Sequence, residues 1–349
     1  MSKNAKVEES RKPVEIHGGK ICLFGDLHLS YSYEGQHISY LKECYMNMEL
    51  IKEICNEEKP TAIVFEGDIV GVNERNLKDR QFLMRVIQFF AYLNGITNNN
   101  VYSVKGNHDM GDFTDFDFLI GMGLIKNPKY IDYYGDNGNH EVRFHLVNYG
   151  YEKASLPVTD PADAVSNVVI GHADYFIDGV TNWYSAKQGV ELSKLDNFCG
   201  VDLVVSGHIH IPSEEILYTT LKNGNPIGLF YTGSPSRTAE RFDDCWYVVF
   251  EYIARGNESS TECLPKFMGL PKASEVFYPK ENFELGSEEE DELAVEKEKS
   301  EKLTALVKEI IEGRITSGDI VSQIMAVPSV DDETKNLAVK YYQKAERGE

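Results

Sequence analysis

Five times along this chain a short apolar run stops abruptly in a polar, glycine-containing cluster, and few folds accept that pattern. Ile21-Cys22-Leu23-Phe24 precedes Gly25-Asp26-Leu27-His28, and Ala62-Ile63-Val64-Phe65 precedes Glu66-Gly67-Asp68. Val101-Tyr102-Ser103-Val104 precedes Lys105-Gly106-Asn107-His108-Asp109, and Val168-Val169-Ile170 precedes Gly171-His172. The last is Asp202-Leu203-Val204-Val205 before Ser206-Gly207-His208-Ile209-His210. Short β-branched runs bounded by glycine are the pattern of buried strands.

Between the early runs, Leu41, Cys44, Met48, Ile51 and Cys55 recur at helical spacing, as do Phe82, Val86, Phe89, Phe90 and Leu93. Strand, helix, strand, helix implies right-handed crossovers and a largely parallel sheet. All five runs are expected in one such sheet, with the polar clusters at the carboxyl ends of its strands, where ligands collect. After His210, segments 228–232, 245–252 and 261–267 read as strands of a second sheet packed on the first. Arg255-Gly256-Asn257 supplies the turn between the last two.

The clusters hold oxygen and imidazole ligands and no sulfur: Asp26, His28, Asp68, Asn107, His172, His208 and His210. That mixture suits Mn, Fe or Zn better than a pure Ca or Mg cage. Asp26 and His28 are two apart, as are His208 and His210, so each pair can converge from one loop. Asp68 follows a glycine and carries two oxygens able to bridge two ions, the arrangement that clamps a phosphate and activates water. His108 beside Asn107 would crowd the turn as a second ligand. It suits a role near the phosphate, stabilising charge or protonating the leaving oxygen, with Asp109 orienting it.

Any one cluster has an ordinary structural reading as a turn or a satisfied histidine. The ordered set of five does not. Five of the nine histidines fall in the clusters, and His17, His37, His140 and His145 are left as structural or exposed.

This ordered set resembles the calcineurin-like metallophosphoesterase superfamily over roughly residues 20 to 265. The resemblance implies an α/β, four-layer α/β/β/α sandwich around two divalent metal ions, Mn2+ foremost, with Mg2+, Fe2+ or Zn2+ as alternatives. It implies that Asp26, His28, Asp68 and His210 hold one ion. Asp68, Asn107, His172 and His208 would hold the other, and His108 would be the catalytic histidine outside the ligand set.

Within the superfamily the chain is most similar to the SbcD-type DNA repair and recombination nucleases, which include phage-encoded members. The Asp26-Leu27-His28-Leu29-Ser30 opening, the Tyr231-Thr232-Gly233-Ser234-Pro235 segment and a helical tail carry that similarity. It implies exonuclease or endonuclease action on DNA ends or branched DNA, an SbcC-type coiled-coil ATPase as partner, and a homodimer. The run Ile69-Val70-Gly71-Val72 departs from cellular members that place a functional side chain there. The alternatives are a phosphatase or small-molecule phosphodiesterase with the same centre, and a non-catalytic scaffold on the same fold.

The expected organisation is a polar segment at 1–19, a metallophosphoesterase domain at 20–270, an acidic linker at 271–300 and a helical segment at 301–349. The linker carries the run Glu288-Glu289-Glu290-Asp291-Glu292, and the tail has an apolar stripe at Leu303, Leu306, Val307, Ile310 and Ile311 that suits either partner docking or a helix folded back on its own domain. Composition enters as an exclusion. A net charge of −21 argues against a free-standing nucleic-acid clamp, since phosphate backbones are held by clustered Lys and Arg. Six scattered cysteines without a Cys-x-x-Cys pair exclude a zinc ribbon or redox dithiol. The polar start, Met1 to Pro13, and the lack of a long apolar run point to a cytoplasmic chain with no membrane span.

Overall fold

A computed structural model of the chain describes residues 11–30, 37–71, 80–111, 114–159, 165–180, 189–236, 245–255 and 258–270. The expected linker at 271–300 and helical segment at 301–349 lie outside the described residues.

The first strands are β1 (Val14–His17), β2 (Lys20–Phe24), β3 (Ala62–Phe65) and β4 (Val101–Ser103). They are followed by β5 (Tyr130–Tyr134), β6 (His140–Val147), β7 (Ser166–His172), β8 (Tyr175–Phe176) and β9 (Val190–Glu191). The last are β10 (Leu203–Gly207), β11 (Leu217–Thr220), β12 (Pro226–Tyr231), β13 (Trp246–Arg255) and β14 (Glu258–Phe267). The helices are α1 (His37–Glu58), α2 (Arg80–Ile96) and α3 (Asp115–Gly121).

The strands form two main sheets. One has seven strands in the order β1-β5-β6-β7-β10-β12-β11, the other five in the order β14-β13-β2-β3-β4. A small parallel pair, β8 and β9, stands apart from both.

The expectation of one sheet for all five runs is therefore corrected. β2, β3 and β4 pair in parallel in the five-stranded sheet, and β7 and β10 pair in parallel in the other. The later strands divide too. β12 extends the seven-stranded sheet beside β10, whereas β13 lies antiparallel to β2 and carries β14. The physical reason is that these strands are buried on both faces, so their apolar runs do not alternate and carry no mark of the sheet they join.

Alternation reappears in three dimensions. Ile21, Leu23, Ala62 and Val64 point into a core between the sheets, where they meet Val168, Ile170, Leu203 and Val205. Their neighbours Cys22, Phe24, Ile63 and Phe65 point the other way, onto α1 and α2. The helical stripes end in this outer core: Cys44, Ile51, Phe82, Phe90 and Leu93 are fully buried.

The far face of the seven-stranded sheet buries Val169, Val204 and Leu229 against Leu192, Leu195 and Phe198. These last come from two 3-10 turns, Leu192–Lys194 and Asp196–Phe198, and the segment joining them. The sandwich is thus α/β/β plus a fourth layer that, among the described residues, is 3-10 turns, the β8–β9 pair and loops. Cys22, Cys44, Cys55 and Cys245 are buried free thiols.

Several elements escape the sequence reading, β1, β5 and β6 among them. Val14–His17, within the segment taken as a polar start, pairs in parallel with β5 at the edge of its sheet. β5 and β6 form an antiparallel pair whose turn contains Asn137-Gly138, a recognised hairpin signal. Among the described residues, no helix is long and apolar enough to cross a membrane.

Candidate metal centre

Every polar cluster leaves the same end of its strand, and because the two sheets pack face to face, the five loops meet along one rim. The first two loops are zipped together by backbone. His28 N–H donates to Asp68 O at 2.8 Å, Leu29 N–H to Ile69 O at 2.8 Å, and Gly71 N–H to Leu29 O at 3.1 Å.

Asp26, His28 and His210 place one ligand atom each within 4.8 Å of one another, and so do Asp68, His172 and His208. Asp68 joins the two groups. Its Oδ2 lies 3.1 Å from His172 Nε2 and 3.8 Å from His28 Nε2. Asn107 Oδ1 is 2.9 Å from His172 Nε2, and His208 Nδ1 is 3.2 Å from the same nitrogen. On the other side, His28 Nε2 and His210 Nε2 face each other at 3.0 Å, with Asp26 Oδ2 3.6 Å from the latter. All seven residues assigned as ligands are brought together, with Asp68 adjacent to both His28 and His172.

Whether these residues suit cations can be judged from their own chemistry. Burial pushes His28 down to about 3 and lowers His210, so both imidazoles are neutral with lone pairs to give. Burial also opposes charge on His172, yet Asp68 and Asp26 overcome it and hold that imidazole well above its usual range. The same pairing outweighs burial at Asp26 and Asp68 and lowers both carboxyls. The two ionised carboxylates have His172 as their leading charged partner, and the oxygen and imidazole donors fit divalent transition ions.

Local backbone is bent to achieve this. His28 (φ 43°), Asp68 (φ 43°) and His208 (φ 79°) all adopt the left-handed region that side-chain-bearing residues avoid. Such conformations cost on the order of 1–3 kcal/mol each and persist where the surroundings over-determine them.

Close approach is secured by two glycines. A β-carbon on Gly106 would stand 2.0 Å from Asp68 Oδ1, and one on Gly207 would stand 2.1 Å from Asp26 Oδ1. The motif glycines clear the space in which another loop's carboxylate sits.

His108 has 29% of its side chain accessible, against 22% for His208, 19% for His210 and 1% for His28. Its Nε2 lies 3.9 Å from Asp68 Oδ2, and its backbone N–H anchors Asp68 Oδ1 at 2.8 Å. Asp109 does not make the expected orienting contact. Its buried carboxyl instead accepts from Gly106 N–H at 3.0 Å and Val70 N–H at 3.5 Å, tying the second and third loops. Burial, then the charge of Asp68, pushes it up to about 8. The reason is geometric: the chain turns back at Gly106, which brings the Asp109 side chain under its own loop.

The sequence reading also missed several supporting residues. Asp174 Oδ1 lies 3.1 Å from His208 Nε2, leaving Nδ1 turned to the centre, the carboxylate–histidine relay common behind metal ligands. The His172-x-Asp174 spacing was its available signal. Glu66 is fully buried beside Asp26; burial, then Asp26, raises its carboxyl to about 8, and it accepts from Thr232 Oγ1 at 2.9 Å.

The 232–236 segment acts as a clamp on the first loop. Ser234 Oγ donates to Asp26 O at 2.8 Å, Ser236 Oγ donates to Leu27 O, and Asn47 of α1 donates to Pro235 O at 2.7 Å.

A family model described as calcineurin-like phosphoesterase matches residues 19–212, more than half of the chain. No curated protein matches. Among solved structures, a 5'-nucleotidase precursor from Thermus thermophilus shares 15% identity over 74% of this chain, with a TM-score of 0.37. This chain spans 56% of that protein's length. A dimetal phosphatase from Danio rerio shares 11% identity over 72% of this chain and 99% of its own, with a TM-score of 0.42. The NAD nucleotidase of Haemophilus influenzae shares 15% identity over 94% of this chain and 67% of its own, at a TM-score of 0.39.

Proposed function

The chain belongs to the calcineurin-like phosphoesterase family, and we propose that within it this protein is a two-metal phosphodiester hydrolase acting on DNA ends or branched DNA, as the nuclease subunit of an SbcCD-like complex. The observation that carries the hydrolase reading is the pair of ligand groups joined through Asp68. Asp26, His28 and His210 would hold one divalent ion, and Asn107, His172 and His208 the other. The chemistry such ions supply is Lewis-acid polarisation of a phosphoryl oxygen and a lowered pKa for attacking water.

The chain's own residues do the rest. Asp68 sets the relation between the two groups, and its orientation is held by the His108 amide. The Asp174 carboxylate stands 3.1 Å behind the His208 ring, where it can orient that imidazole. The accessible His108 imidazole stands beside the shared carboxylate, where it can donate a proton to the departing oxygen.

DNA as substrate is supported by the similarity to SbcD-type nucleases, carried by the opening Asp26–Ser30 and the segment Tyr231–Pro235. Those two segments are bonded to each other through Ser234 and Asp26. An ATPase partner with basic surface would supply the DNA contact that a net charge of −21 withholds. Mn2+, a homodimer, a cytoplasmic location and a partner-docking role for 301–349 belong to the same proposal.

That same charge favours a second reading, a phosphatase or small-molecule phosphodiesterase, for which no nucleic-acid groove is needed. In the vicinity of the third loop, Lys105 is already paired with Asp117 at 2.6 Å.

The deciding experiment incubates the full chain in Mn2+ with end-labelled linear duplex DNA, a cyclic nucleotide and a phosphomonoester. Asp68→Asn and His108→Ala serve as controls. DNA degradation lost in both variants supports the nuclease. Intact DNA, with and without an SbcC-type ATPase, alongside cleavage of a small ester moves the assignment to the second reading.

A further inference from the structure

One exposed aromatic ring stands at the metal centre without a part in holding it. Tyr149 follows β6, with its ring centroid 5.7 Å from that of His208 and 6.3 Å from that of His172. The residue is 37% exposed.

Its placement is not loose. Tyr149 N–H donates to Lys105 O at 2.8 Å, and the preceding Asn148 accepts from Lys105 N–H through its side chain at 2.8 Å. Asn148 is also bonded to Asn127 at 2.9 Å. Tyr149 is thereby fixed to the residue that opens the Gly106-Asn107-His108 loop.

The ring angles matter. Tyr149 meets His208 at 43° and His172 at 72°, so neither imidazole is stacked flat on it. The residue is anchored through its backbone beside both imidazoles and keeps part of its surface open to solvent. Aromatic faces of this kind take planar rings, and a stacked nucleobase is a common occupant.

Resting on the phosphoesterase reading above, we propose that Tyr149 is the platform for the planar base of a nucleotide ester whose phosphate sits at the Asn107, His172 and His208 side of the centre. It is a specificity residue: it selects esters that carry a base and takes no part in the bond cleavage. The ligand class is a nucleoside monophosphate or a terminal nucleotide of a strand.

The test compares two phosphates that differ only in the base, AMP and ribose 5-phosphate, binding to the full chain loaded with Mn2+ and measured by titration calorimetry. Wild type is expected to bind AMP more tightly, by about 5- to 150-fold, the size of one base–aromatic stack. Tyr149→Phe should keep that preference. Tyr149→Leu should erase it while leaving ribose 5-phosphate affinity and metal content unchanged.

Equal binding of the two phosphates by wild type overturns the platform, as does a preference that survives in Tyr149→Leu. So does loss of the preference in Tyr149→Phe, which would point to the hydroxyl instead of the ring. These failures are distinct from failure of the hydrolase reading, which is judged by ester cleavage and not by base preference.

Discussion

Asp26 Oδ1 lies 2.1 Å from the point where a β-carbon on Gly207 would stand, and the other oxygen of Asp26 accepts the His208 N–H at 2.7 Å. A strand end in one sheet and a strand end in the other are thus locked by a carboxylate that fits only against glycine. The hypothetical β-carbon would also meet Glu66 O at 2.8 Å and His172 Nδ1 at 3.0 Å, neither of which can swing away.

Gly207→Ala should therefore destabilise the fold by about 1–3 kcal/mol, the usual range for overpacking a filled site. It should also displace Asp26 and reduce bound metal below wild-type stoichiometry. Thermal melts and elemental analysis check both. An alanine variant with unchanged melting temperature and full metal content would refute the packing argument.

Asp174 is predicted to matter through His208. Asp174→Ala removes the partner of His208 Nε2 and frees the ring to turn, and metal affinity should fall about 10- to 100-fold. Competition against a metal-binding dye measures this directly. Circular dichroism should stay unchanged, which separates the effect from unfolding.

His108 stands beside the shared Asp68 carboxylate with its ring partly accessible. His108→Gln should lower kcat by about 10²–10⁴-fold, the range for a lost general acid, with metal content and substrate KM held near wild type. A variant that loses metal along with activity would instead make His108 a ligand to the group formed by His28 and Asp68.

His145 provides a test of pH dependence away from the centre. It is buried in the seven-stranded sheet, its Nε2 3.1 Å from Asn167 Oδ1, and burial lowers its pKa to about 4 from 6.5. Between these values the unfolded chain binds the proton and the native chain does not. Stability should then be full above pH 6.5 and decline as pH falls toward 4, by roughly 3 kcal/mol for this group. Melting temperatures of wild type and His145→Gln, taken from pH 7 to pH 4.5, should converge if this is right. Parallel curves would rule it out.

Much of the fold was legible because the relevant signals are local. The runs at 21–24, 62–65 and 203–205 announce buried strands, and the stripes at Leu41–Cys55 and Phe82–Leu93 announce core helices. The ligands were legible for the same reason: Asp26-x-His28 and His208-x-His210 are chemical statements made within three residues. Asp174 was within reach by the same spacing and was passed over. Asp109 was misread because neighbours in sequence were assumed to be neighbours in bonding, whereas a tight turn sends its carboxyl to Gly106 and Val70.

By itself, then, the sequence determined which residues are candidates for the chemistry, and that they sit at strand ends, since residue type, hydropathy and glycine spacing are written along the chain. Only the tertiary structure decided that two sheets share the centre, that Asp68 faces both ligand groups, that Ser234 clamps Asp26, and that Tyr149 stands at the rim. Those relations join segments tens to hundreds of residues apart. They depend on strand register and on the packing of doubly buried faces, for which apolar runs without alternation leave no local mark.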